Sequence, residues 1–94
     1  MATLRQRQCY AAGCSGMVPT HRLMCATHWQ LVPADLRRRV WETYNAWMAG
    51  ADVRAYLIAI LKAKLAVANL QQIEPVLRDS IQAGIDLYEK GGNA

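Results

Sequence analysis

The sequence predicts a mainly α single domain over residues 1–94. In it, a small metal-stapled finger (1–32) leads into a helical part (33–94) with helices at about 33–49, 53–73 and 76–90. Three observations carry that expectation. Cys9, Cys14, Cys25 and His28 form two close pairs of soft donors, C-x4-C and C-x2-H, separated by a short loop. Beyond them, apolar residues from Leu36 to Tyr88 recur at helical spacing. Gly50 and Pro75 then divide that stretch where a helix has to end or break.

The four donors suit a tetrahedral Zn²⁺ site of the Cys3His type, in which each pair comes from one short knuckle. Four protein ligands leave no position for water, so the role expected of the ion is structural. Disulfides explain the cysteines poorly, because three cannot pair off within one chain. Buried, inert thiols with a core histidine are the competing reading, and the paired spacing argues against it. Gly13, just before Cys14, supplies the permissive backbone of a tight knuckle. Met17-Val18 and Arg22-Leu23-Met24 are expected to form a hairpin across Pro19-Thr20-His21, with His21 on the surface of the turn. Cys25 and His28 then close the site as the chain enters a helical turn, giving a treble-clef-like or ribbon-like finger.

Pro33 and Asp35 suit the first turn of the next helix. Advancing 100° per residue places Leu36, Val40, Trp41, Tyr44, Trp47 and Met48 within an arc of roughly 140°, a core-facing stripe in which Trp41 and Trp47 are expected to be buried. Trp29, beside His28, is expected to cover the metal site. Asp52 is placed to cap the following helix. That helix is apolar around most of its circumference, which fits either the centre of a bundle or an interface. On the interface reading Tyr56, Ile60, Lys64 and Val67 meet a protein partner or a second copy in a dimer, while Ala55, Ala59, Ala63 and Ala66 allow close helix approach. Leu77, Ile81, Ile85 and Tyr88 give the last helix an inner face, and Gly91 to Ala94 should fray.

The net charge of +4 is uneven: six arginines against Asp35 give +5 over residues 1–41, and five basic against six acidic side chains give −1 over 42–94. Arg5, Arg7, Arg22, Arg38 and Arg39 are the candidates for contact with nucleic acid or an acidic partner. Arg37, Arg38 and Arg39 spread over roughly 200° of a helix, so phosphate contact is favoured over base readout. Catalysis is not expected. The carboxylates lie on helix exteriors or near caps, Ser15 and Ser80 have no base and orienter, and no Gly-rich phosphate loop is present. No apolar run reaches membrane-span length and no signal-peptide h-region precedes Cys9, so the expected setting is the cytoplasm, where thiols stay reduced.

The run from Arg22 to Tyr44 reads RLMCATHWQLVPADLRRRVWETY, and with Cys9 and Cys14 upstream it resembles a group of small phage- and prophage-encoded zinc-finger-like proteins. These share a pattern like RLMCxxHWxxVPxxLRxxVWxxY. The resemblance covers about the first half of the chain and includes apolar and aromatic positions as well as ligands. It implies a metal-bound N-terminal finger and a phage source. Two activities then come into view: inhibition of a host or defence machine by protein contact, or nucleic-acid regulation through the basic finger end. The C-x4-C knuckle departs from the commoner C-x2-C.

Overall fold

The computed structural model describes residues 6–19 and 22–90. In chain order its elements are β1 (Gln6–Gln8), β2 (Met17–Pro19), α1 (Ala26–Leu31), α2 (Ala34–Met48), α3 (Arg54–Leu70) and α4 (Pro75–Lys90). The fold is mainly helical with a small two-stranded N-terminal sheet, as the sequence predicts. Arg5, Thr20, His21 and the expected frayed end at 91–94 lie outside the described residues.

The finger is wired differently from the expected hairpin. β2 pairs antiparallel with β1, with Arg7 opposite Val18, and not with Arg22-Leu23-Met24. The Arg22 N–H bonds to the Pro19 carbonyl at 2.9 Å, and the Leu23 carbonyl accepts the Tyr10 N–H at 3.0 Å, so Arg22-Leu23-Met24 lies beside the finger without joining its sheet. The physical reason lies in the knuckle. The Cys14 N–H closes on the Ala11 carbonyl at 3.2 Å with Gly13 at φ +79, a turn that needs glycine at its third position. That turn folds Met17–Pro19 back onto Gln6–Gln8, with the Cys9 N–H held by the Gly16 carbonyl at 2.8 Å.

The helical turn expected at Cys25 is a short helix, α1, with Cys25 at its N-cap, so the second ligand pair sits at a helix start as in a treble clef. Val32, 1% exposed, plugs the joint between α1 and α2. α2 ends at Met48 and is closed off by Gly50, whose φ of +109 permits a pair of closing bonds: Gly50 N–H to the Trp47 carbonyl and Ala51 N–H to the Ala46 carbonyl, each 2.9 Å. Asp52 then accepts the Arg54 backbone N–H through Oδ1 at 2.6 Å, satisfying a donor of the first turn of α3.

α2 and α4 both pack on α3, and the finger lies against it as well. One apolar cluster joins Cys9, Ala11 and Met24 of the finger to Val40 of α2 and to Ala59, Ile60, Ala63 and Val67 of α3. A second joins Ala68 of α3 to Ile81 and Ile85 of α4, with Ala12 of the knuckle packed beside it. Ala59 and Ala63, both buried, belong to the first cluster together with the finger residues. Each fully buried aliphatic side chain, Val67 and Ile85 among them, stabilises the fold by about 1.5–3 kcal/mol.

Two sequence expectations need correction. Trp41 is 59% exposed and Trp47 37%, so neither is core: Trp41 lies at the edge of the apolar arc, about 100° from Val40, and Trp47, close to Val40 in direction, lies in the last turn of α2 with its ring stacked on Tyr56. Ile60 and Val67 are not presented on a surface: Val67 is 0% exposed and Ile60 8%, because the finger, α2 and α4 cover α3 within the chain.

Candidate metal centre and aromatic cleft

The donor atoms of Cys9, Cys14, Cys25 and His28 lie within 4.8 Å of one another. His28 points Nδ1 at the cluster, 3.6 Å from Cys9 Sγ and 3.0 Å from Cys25 Sγ. Local structure brings each pair together. Cys9 and Cys14 flank the Gly13 turn, and Cys25 and His28 are three residues apart at the start of α1, hence on one face of it. Two backbone donors point at the sulfurs: Cys25 N–H to Cys9 Sγ at 3.3 Å and Gly16 N–H to Cys14 Sγ at 3.4 Å. Such donors stabilise thiolates, the form in which cysteine binds metal.

The four residues could hold a metal ion. Bond lengths of about 2.3 Å to sulfur and about 2.0 Å to nitrogen put neighbouring donors of a tetrahedron roughly 3.5–3.8 Å apart; the Cys9–His28 separation matches, and the Cys25–His28 separation of 3.0 Å would have to widen on binding. Cys9 is buried and the other three are half-buried, so the centre sits at the edge of the core.

The arginines predicted for nucleic acid or an acidic partner separate into two groups. Arg7 and Arg22 meet at a cleft of about 630 Å³ between the finger, α1, α2 and α3, whereas Arg38 and Arg39 are exposed on α2. Trp29, Trp41, Tyr44 and Tyr56 supply the cleft's aromatic walls. Tyr44 lies edge-on to Trp41, at 6.3 Å and 87°, and Tyr56 stacks on Trp47 at 5.5 Å and 17°. Trp29, expected over the metal site, is thus part of this wall, and Tyr56, predicted for a protein interface, faces the cleft.

Lys64, also predicted for a partner, is engaged inside the chain, its Nζ 4.5 Å from the centre of the Tyr10 ring. The Arg7 guanidinium lies 5.9 Å from the same ring. Burial pushes the Tyr10 and Tyr56 phenols above their ordinary range, opposed in both by the charge of Arg7. Sequence reasoning did not single out Tyr10. Its signal was its place in the knuckle, but a contact with Lys64, 54 positions away, has no local pattern.

Compared with known proteins, the chain matches no protein-family model, no curated protein and no solved structure. No helix among the described residues is long and apolar enough to cross a membrane.

Proposed function

We propose that this chain is a non-enzymatic, phage-type zinc-binding protein that acts by contact with a protein partner from phage or host. The observation that carries the reading is the closed Cys3His cluster. Four donors from two distant segments converge where the finger packs on α3, and a metal ion bound by all four would keep no open position for chemistry. Three thiolates and an imidazole select zinc among the common cellular divalent ions. Metal analysis of the purified chain should find about one zinc per chain. Chelation should lower the melting temperature by about 10 °C or more, and Cys14→Ser should reproduce the loss. An unchanged melt after chelation would falsify the staple.

The interaction surface in this proposal is the outer edge of α4. With α3 covered, the exposed apolar residues Val76, 74% exposed, and Leu87, 68% exposed, fall within roughly 20° of each other around that helix. A homodimer through this edge replaces the dimer first expected on α3. Sedimentation should show self-association that Val76→Lys with Leu87→Lys abolishes while the melt is retained; a strictly monomeric wild type at high concentration would remove the dimer.

A second reading, a nucleic-acid-binding regulator using the basic finger end, is favoured by one observation: Arg7 and Arg22 line the same aromatic cleft.

A further inference from the structure

We infer that the cleft between finger and helices is a binding site for single-stranded nucleic acid, with bases stacked on Trp41 and Trp29 and phosphates held by Arg7 and Arg22. The inference rests on the nucleic-acid reading above and gives it a place and a mode.

Charge complementarity selects the occupant. Two arginines and no carboxylate line the cleft among the described residues, so an anion is favoured there. The track continues along α2. Arg37 and Arg38 lie four and three residues before Trp41, and so share its side of the helix. A guanidinium offers a rigid fork of donors that matches a phosphate in two bonds.

The aromatic walls select among anions. Trp41 is the most exposed tryptophan of the chain, at 59%, although its edge is already braced by Tyr44. An indole held open beside cationic side chains is the combination by which proteins bind single strands: bases stack on rings while the backbone follows positive charge. A duplex keeps its bases stacked on one another and would offer only phosphates to the rim. The volume, about 630 Å³, lies in the range of sites that enclose a ligand group.

The test uses the full zinc-loaded chain and a short fluorescent oligothymidylate at low salt, read by anisotropy and by quenching of tryptophan emission. Binding is expected, with log K falling against log salt by about 0.7 for each phosphate contacted. Trp41→Ala should weaken it by about fivefold to 150-fold, the range of one lost base stack. Arg22→Glu should weaken it and make the salt slope shallower. Both side chains are exposed, so neither change removes core. Binding that Trp41→Ala leaves unchanged overturns the cleft while keeping the nucleic-acid reading. Absence of binding to any single strand or duplex at low salt overturns both. Equal affinity for duplex, or tighter binding of an acidic tryptophan-containing peptide at the same site, also overturns the inference, the latter by assigning the cleft to a protein ligand.

Discussion

Arg78 stands where an apolar side chain would serve the fold better. It lies three and seven residues before Ile81 and Ile85, the two buried side chains of α4, and so shares their face. Its Nε is buried without a hydrogen-bond partner among the described residues, while Nη1 reaches Asn69 Oδ1 only at 3.5 Å. A buried donor left unpaired costs about 1–3 kcal/mol. Arg78→Met keeps the unbranched stem and removes the donor, so it should raise the unfolding free energy by about 1 kcal/mol in urea denaturation. A loss of stability instead would mean that the guanidinium is paired in solution. The sequence placed Leu77, Ile81, Ile85 and Tyr88 on the inner face, and only the isoleucines are buried there. Leu77 is 46% exposed and Tyr88 36%, because α4 leans on α3 through a contact rotated towards Arg78. An amphipathic pattern fixes a side of the helix but leaves its rotation open by tens of degrees, and a long cation whose stem is apolar is hidden from it. That Cys9, Cys14, Cys25 and His28 come together was legible for the opposite reason: the chemistry of a metal-donor set constrains both residue type and spacing.

The ends of α2 and α3 are closed in the same way by different residues. After α3, the Gln72 N–H bonds to the Asn69 carbonyl at 3.3 Å and the Ile73 N–H to the Ala68 carbonyl at 3.1 Å, repeating the pair around Gly50. Gln72 holds φ +53, a left-handed conformation that costs a residue with a side chain about 1–2 kcal/mol. Ile73 tucks against the α4 cluster and the Gly13 turn, where a Cβ on Gly13 would lie 3.8 Å from Ile73 Cδ1. This tucking holds the strained residue in place. Gln72→Gly should therefore stabilise the protein by about 1 kcal/mol, a rise of about 4–8 °C in melting temperature. Gly50→Ala should destabilise by a similar amount although no atom lies within 4 Å of the added carbon, because the penalty is in the backbone alone. Equal melts for either variant and wild type would contradict the assignment. Gly50 announced its helix end in the sequence. Glutamine carries no such signal, and the predicted helix accordingly ran on to residue 73, three past Leu70.

At the scale of the molecule, α3 packs against the finger, α2 and α4, and two phenols whose pKa is raised by burial lie at the aromatic seam between finger and helices. The sequence left α3 open between bundle centre and interface. Its apolar circumference was readable, but what covers it depended on how the finger folds back, which follows from turns and candidate metal donors far away along the chain. Tyr10 and Tyr56 lie in that seam. Burial is the largest influence on both phenols and raises them; Arg7 lowers them, and neighbouring tyrosines raise them further. A phenol whose folded-state pKa is raised keeps its proton more firmly in the native protein than in the unfolded chain. Its contribution is fully present below the unfolded value of about 10 and is lost as pH rises through the folded value. Stability should therefore hold from neutral pH to about 9 and fall above about 10, as measured by urea denaturation at stepped pH. The double variant Tyr10→Phe with Tyr56→Phe removes both ionisations, so its decline above that point should be shallower than that of wild type. Curves that fall in parallel would place the alkaline sensitivity in groups other than these two phenols.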